Sequence, residues 1–425
     1  MGNTNTKPFG VKDKIGYMCG DIANDFTFIF ASSYVMVFYT KVMGVSAGMV
    51  GTMFLLARCL DAFTDIGMGR IVDNSKPTKN GRIRPWILRM CAFVALASFM
   101  MYQSFLVDAP YAAKVAYMFI TYILWGSIFY TSVNIPYGSM ASVISSEPKD
   151  RSSLSVFRSL GGTLAGILIG MLAPMVVYYT DEVGNKVVSA SKISMIAGIF
   201  SVLAVICYLL CYTLTTERVA YVPKPDVQKK TFGQTVSALF SSRSLMGLIL
   251  SAVLLLLASL MSQGINQYLF ADYFKNTAAL SVYSLLMLPC VLVLSAVSTK
   301  LAVKYGKKEC SLIGMFISAG LYFIIGVLHV KNVWLFVGLA FLAMIGMYFF
   351  QMQCWALVTD VIDDMEVKNH TRDDGTVYGM YSFARKIGQA IAGGLSGWAL
   401  GWIGYDELAT SQTQEVANGI YNLST

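Results

Sequence analysis

Leu55 to Val72 reads LLARCLDAFTDIGMGRIV, a run apolar enough to cross a bilayer that nevertheless carries Arg58, Asp61 and Asp65 within it. A charge near the middle of a membrane helix costs roughly 2.5 to 3.5 kcal/mol on insertion scales, so it faces a water-filled cavity or a partner and marks a site. On a helix Asp61 lies three residues from Arg58 and Thr64 and four from Asp65, which puts the four side chains on one face. Two carboxylates and a hydroxyl on one face offer hard oxygen ligands to a small cation. The plainer alternative is a buried Arg58–Asp61 pair that only pins helices together. It leaves Asp65 unexplained.

Composition agrees with a membrane reading. The 425 residues are 56% hydrophobic and only 13% charged, and the apolar runs reach spanning length. The net charge of +8 does not point to nucleic acid, because the basic residues sit in short stretches between apolar runs, as in cytoplasmic loops. Of the eight cysteines, Cys19, Cys59, Cys91, Cys207, Cys211, Cys290 and Cys354 fall within apolar segments and Cys310 at the edge of one, so they read as small core residues. The polar start, Met1 to Asp13, lacks a separate signal-peptide core, and the first span is expected to serve as its own insertion signal.

Eleven segments are expected to span: 15–41, 46–72, 85–107, 111–141, 155–180, 190–214, 245–273, 278–303, 309–330, 333–358 and 376–404. Cations cluster in alternate connections: Lys7, Lys12 and Lys14 before the first span, Lys76 to Arg84 after the second, Lys149 and Arg151 after the fourth. Arg218 to Lys230 follow the sixth, Lys304 to Lys308 the eighth, and Lys368 and Arg372 the tenth. The expected topology is therefore a multi-pass cell-membrane protein with a cytoplasmic N-terminus, the lipid bilayer being its one certain surround. The connection from Glu217 to Arg243 divides the chain into an N-terminal six-helix half at 1–214, a central cytoplasmic loop at 215–244 and a C-terminal half at 245–425. The basic loop at Gly69, GRIVDNSKPTKNGRIRPW, has a shorter echo at Ser298, STKLAVKYGKKE. Two six-helix repeats with such loops in matching places are how major-facilitator transporters are built. A second half of six needs a twelfth helix, yet YDELATSQTQEVANGIYNLST after Gly404 is too polar and short to span. It is expected to reflect a truncation or, alternatively, an amphipathic turn outside the membrane.

Six collinear blocks carry a family resemblance: GYMCGDIANDF at Gly16, ARCLDAFTDIGMGRIVD at Ala57, GRIRPWIL at Gly81, YTSVNIPYGSM at Tyr130, RSSLSVFRSLGG at Arg151, and DVIDDMEVKNHTRDDG with ARKIGQ between Thr359 and Gly388. From Ile15 to Gly404 the chain resembles the glycoside-pentoside-hexuronide:cation symporter family of the major facilitator superfamily. The resemblance implies an all-α polytopic fold of two six-helix pseudo-repeats. It implies that Asp61 and Asp65 bind the coupling cation, with Thr131 completing the site and Thr64 standing where the family's best-known permease has an amide-bearing ligand. Asp25 and Arg158 resemble residues that hold sugar hydroxyls, and Lys386 the lysine beside both sites. Asn134 departs from the pattern: the best-known permease has a carboxylate there that takes part in sugar recognition.

The residues argue the same chemistry directly. Sugar hydroxyls donate and accept at once, so their site needs a carboxylate to accept and a guanidinium to donate, which Asp25 and Arg158 supply. Trp125, Tyr130 and Tyr137 are candidates for an apolar platform under a sugar face, with helix packing or interface anchoring as the alternative. Asp21, one turn before Asp25, is a ligand contact or a gate and helix cap. Lys386 needs an acidic partner in the bilayer, and a cation reaching Asp61 and Asp65 would compete with it. Asp360, Asp363 and Glu366 recur at three-residue spacing, with Arg151, Arg372 and Lys307 in nearby loops; they form a salt-bridge gate between the halves or are simply solvated.

The expected function is secondary active transport by alternating access, the symport of a glycoside or small oligosaccharide with Na+, or with H+ if one carboxylate has a raised pKa, and no other cofactor. His329 and His370 lie away from the membrane midplane and argue nothing for protons. The expected protein is a monomer whose partner is its sugar substrate. A proton-coupled or uncoupled hexuronide carrier is the alternative, favoured by the charge that Asn134 removes. A non-transporting sugar sensor would carry a signalling domain, and an enzyme would need a nucleophile with a base or a metal cluster; neither is in the sequence.

Overall fold

The computed structural model describes residues 8–73, 75–76, 78, 81–182, 185–219, 242–369, 374–407, 409 and 411–425. Two units divide the chain, Met1–Pro223 with Asp406–Thr410 and Lys224–Tyr405 with Ser411–Thr425.

The first unit holds α1 (Val11–Lys41), α2 (Ala47–Asp73), α3 (Arg84–Met100), α4 (Tyr111–Ile144), α5 (Pro148–Val177) and α6 (Ala190–Leu214). A short antiparallel hairpin, β1 (Tyr178–Thr180) and β2 (Lys186–Val188), joins the last two, with Tyr178 opposite Val188. Pro85 and Pro148 open α3 and α5 at positions whose N–H groups lack intrahelical partners. The α1 helix is the hub, packed on both α5 and α6. Its Phe26 and Phe30 meet Phe200 of α6 with ring centroids 5.3 and 5.4 Å apart. Phe63 of α2 is 74% exposed, on the side away from the buried Asp61, as a lipid-facing position should be.

One end of this unit is tied by the segment that leaves α6. The Glu217 carboxylate accepts backbone N–H groups of Arg82, Ile83 and Arg84 at 2.9, 2.8 and 2.7 Å, capping α3. A Cβ on Gly81, whose φ is +105°, would collide with that carboxylate, so the turn needs glycine twice over. Arg218, which reads in sequence as one more loop cation, forms a two-pronged pair with Asp13 of α1, both contacts at 2.9 Å.

The second unit holds α7 (Arg243–Tyr273), α8 (Thr277–Leu285), α9 (Met287–Tyr305), α10 (Lys307–Leu328), α11 (Val333–Asn369), α12 (Asp374–Trp402) and α13 (Gln414–Ser424). Here α10 packs on α11 and α12 on α7. Leu245, Leu248, Ala252 and Leu255 of α7 bury against Phe350, Cys354, Val358 and Val361 of α11 and Tyr381 of α12.

Among the described residues nine helices are long and apolar enough to cross a membrane, against eleven expected. The shortfall has local causes. Helix α3 is 17 residues long, and the glycines and the Arg385–Lys386 pair of α12 dilute its apolar content. The polar tail after Gly404 also folds differently from a bare turn. Its 11-residue α13 buries Val416, Ala417, Ile420 and Tyr421, and the Tyr421 hydroxyl donates to Ile325 O of α10 at 2.8 Å. At 1.5 Å per residue it rises about 16 Å, half of a hydrocarbon core.

Candidate functional site

Helix α2 presents its charges inward as the spacing requires. Asp61 is 8% exposed, and its two oxygens have different partners. Arg58 Nη1 donates to Oδ2 at 3.0 Å and Ser127 Oγ of α4 donates to Oδ1 at 2.5 Å. One turn further on, Asp65 accepts from Thr131 Oγ1 at 3.0 Å. Both hydroxyls are buried, Ser127 1% and Thr131 4% exposed. The structure thus brings together Asp61, Asp65 and Thr131 of the expected cation site. Thr64 points otherwise: its hydroxyl donates to Asp61 O of its own helix at 3.2 Å. Ser127 escaped the sequence reading, although it lies one turn before Thr131 and so on the same face.

The hydroxyls come from an irregular stretch of α4. Leu124–Tyr130 is π-helical, and Thr131 Oγ1 also lies 3.3 Å from Gly126 O, five residues back. Such turns free carbonyls and re-aim side chains, and they recur at functional sites. Trp125 is 1% exposed, wedged between Tyr122 and Tyr130 with ring centroids 5.4 and 5.6 Å away. That is a packing position rather than an open platform. Among the described residues its indole N–H has no hydrogen-bond partner.

A second cluster joins α1, α4 and α5. Arg158 Nε donates to Asp21 Oδ1 at 2.9 Å, and its guanidinium lies over the Tyr137 ring, 5.2 Å from the centroid. Tyr137 stacks on Tyr17 with centroids 4.7 Å apart, and its hydroxyl donates to Tyr17 O at 2.7 Å. The ion pair runs to Asp21, so the residue read from sequence as ligand, gate or cap holds the guanidinium in place. Asp25 sits beside it against α5: a Cβ on Gly162 would come within 2.6 Å of its Oδ2 and 3.1 Å of the Asp21 Oδ2. The second glycine of the RSLGG stretch is there to let two carboxylates approach a helix backbone. Next to Asp25, Asn24 is 2% exposed and accepts from the Tyr208 hydroxyl at 2.7 Å. Asn134 is half-buried on α4.

In the second unit Lys386 is half-buried on α12. Of the expected gate, Asp360 pairs with Lys307 of the same unit at 2.6 Å. Arg151 donates to Ser145 O and Ser142 O at the end of α4, at 2.8 and 3.2 Å. Arg372 and the side chains of Asp363 and Glu366 lie outside the described residues.

Comparison with known proteins matches this architecture. The chain is 32% identical over 418 residues to the uncharacterized symporter YjmB of Bacillus subtilis (strain 168), covering 97% of this chain and 88% of that protein. It is 30% identical over 417 residues to the glucuronide carrier protein homolog of Escherichia coli (strain K12), covering 96% and 86%. Among solved structures, a bacterial homologue of the human lysosomal transporter Spinster superposes with TM-score 0.67 at 12% identity, over 93% of this chain and 84% of that one. The Escherichia coli xylose transporter XylE gives 0.58 at 13% identity, over 97% and 93%. The fold is that of the major facilitator superfamily, and the relatives are transporters rather than enzymes. The model for the family described as MFS/sugar transport protein matches residues 16–425, and the chain belongs to that family, the one that includes the glycoside-pentoside-hexuronide:cation symporters.

Proposed function

We propose that this protein is a cation-coupled symporter that carries a glycoside across the cell membrane by alternating access, as a monomer with its N-terminus in the cytoplasm. The carrying observation is the pair of polar clusters inside one six-helix unit, the first largely buried and the second partly so. Asp61, Asp65 and Thr131 gather oxygen ligands for a cation, while Asp21, Asp25 and Arg158 gather donors and acceptors for a sugar; Tyr137, buried under the guanidinium and stacked on Tyr17, is packing rather than an open platform. Two carboxylates with hydroxyl oxygens offer the hard oxygen ligands that suit Na+. Cation and sugar would each stabilise the same occluded state, which is all that coupling requires.

A second reading, a proton-coupled carrier of hexuronides, is favoured by Asn134, which leaves the sugar side of α4 without a carboxylate. The similarity to the glucuronide carrier protein homolog of Escherichia coli points the same way. The deciding experiment is uptake of radiolabelled neutral glycosides and glucuronides into vesicles under an imposed Na+ or H+ gradient, with Asp61→Asn as the control. Accumulation driven by one ion and lost in the variant supports symport and names ion and sugar. Binding without gradient-driven accumulation in the native protein refutes it and leaves a passive carrier or a sensor.

A further inference from the structure

Phe28 belongs to neither cluster, but it sits on the helix that carries Asp25 and packs against the cation site. It follows Asp25 by three residues on α1, on the same helix face. The Arg58 guanidinium lies over its ring, 5.1 Å from the centroid, while the same guanidinium pairs with Asp61 at 3.0 Å. The ring is also stacked on Tyr130, with centroids 5.7 Å apart and planes 24° apart. Tyr130 ends the π-helical turn and immediately precedes Thr131, the hydroxyl on Asp65. One phenylalanine on the sugar-binding helix is therefore packed against the cation-site arginine and against the strand of side chains that holds the cation-site hydroxyls.

We propose that Phe28 is the positioning residue through which the two sites sense each other, its ring holding Arg58 in a place set by the helix that carries Asp25. The inference rests on the symporter reading. A cation between Asp61 and Asp65 offsets the carboxylate charge that holds Arg58, and the guanidinium then depends on the ring face. A sugar on Asp25 fixes the turn of α1 that carries the ring. Each ligand thereby improves the place of the other, and by linkage the effect is equal in both directions. Leucine fills similar space and gives no such face.

The test separates ring electrostatics from packing. The full chain in lipid nanodiscs is prepared with native Phe28 and with 4-fluoro-, 3,5-difluoro- and 3,4,5-trifluorophenylalanine at position 28, together with Phe28→Tyr and Phe28→Leu. Fluorination drains the ring face with little change of shape, so the series stays informative if Phe28→Leu does not fold. The reading is the ratio of dissociation constants for p-nitrophenyl β-D-glucuronide, and for p-nitrophenyl α-D-galactoside, without and with saturating Na+. In the native protein this coupling ratio is expected between about 5 and 150. It should fall about threefold or more across the fluorinated series, approach one in Phe28→Leu, and be kept by Phe28→Tyr. Affinity for sugar without cation should stay within about twofold, which a general loss of packing would not spare. A coupling ratio that is constant across the fluorinated series overturns the role of Phe28 and leaves symport standing. A native ratio of one, with sugar bound equally well at every Na+ and H+ concentration, overturns the symporter reading itself and the proposal with it.

Discussion

Asp21→Asn should turn the sugar site toward anionic substrates. In the structure the Asp21 carboxylate occupies the Arg158 guanidinium at 2.9 Å, with the two side chains 13% and 41% exposed. Unit charges about 4 Å apart attract by about 4 kcal/mol at an effective dielectric near 20. The exposure of Arg158 brings the figure down toward the surface-pair range of about 0 to 1 kcal/mol. A value of about 1 to 2 kcal/mol is left as the competition that a substrate carboxylate has to overcome, or about 5- to 30-fold in affinity. Asparagine keeps the shape and one acceptor for Nε while removing the charge. The assay is competition by methyl β-D-glucuronide against methyl β-D-glucoside, two ligands that differ only at the sixth carbon, at fixed cation concentration. The ratio of their inhibition constants should move about 5- to 30-fold toward the glucuronide, mostly through the glucuronide. An unmoved ratio, or one that moves toward the glucoside, would mean that Asp21 touches sugar hydroxyls itself and does not act by occupying Arg158.

Three further outcomes follow from the same geometry. Thr131→Val keeps the volume of a buried side chain and removes the hydroxyl on Asp65, so Na+ affinity measured by titration of sugar binding should drop about tenfold while sugar affinity without Na+ changes little. Glu217→Ala strips three backbone N–H groups of α3 of their acceptor; the half-buried cap should be worth about 2 to 4 kcal/mol, read as an earlier thermal unfolding of the solubilised protein, with Glu217→Gln intermediate. Asp360→Asn breaks a pair whose members are 37% and 48% exposed and should move the same unfolding curve by less than about 1 kcal/mol.

The parts of the site that sequence reveals are those whose cost is visible in sequence. Asp61 and Asp65 stand out because charges inside an apolar run need a reason, and helix geometry alone then groups them with Arg58. Ser127 and Phe28 carry no such mark. A serine in a membrane helix normally bonds its own backbone, as Ser132 does with Ile128 O at 2.6 Å, and a phenylalanine among apolar neighbours reads as core. The partner of Arg158 is illegible for a different reason. Asp21 and Asp25 are one turn apart on α1, and which one meets the guanidinium depends on how α5 is placed along α1, which Gly161 and Gly162 decide by allowing close approach. Helix α13 lies between these cases. Val416, Ala417, Ile420 and Tyr421 have helical spacing, but they amount to too little apolar length to be read as a span.

The same logic explains why one helix can serve both clusters. Ser127 and Thr131 of α4 meet the carboxylates of α2, while Tyr137, on the next turns, lies under Arg158 and stacks on Tyr17 of α1. Trp125, Tyr130 and Tyr137 are platform candidates by residue type, and a regular helix of 3.6-residue period would set Tyr130 and Tyr137 near one face with Trp125 roughly 140° from Tyr130. The π-helical turn at Leu124–Tyr130 interrupts that period, and an inserted residue rotates everything after it by roughly 100°. Trp125, at the start of the turn, packs inside against Tyr122, and Tyr130, at its end, rests on Phe28. A wider turn also leaves the Gly126 carbonyl beside the Thr131 hydroxyl, which gives that hydroxyl a second place for its proton. The oxygen of Thr131 can then turn toward a cation without losing its donor bond altogether. The irregularity that defeats the sequence reading of α4 is thus what lets its hydroxyls serve α2 while its aromatic rings serve α1.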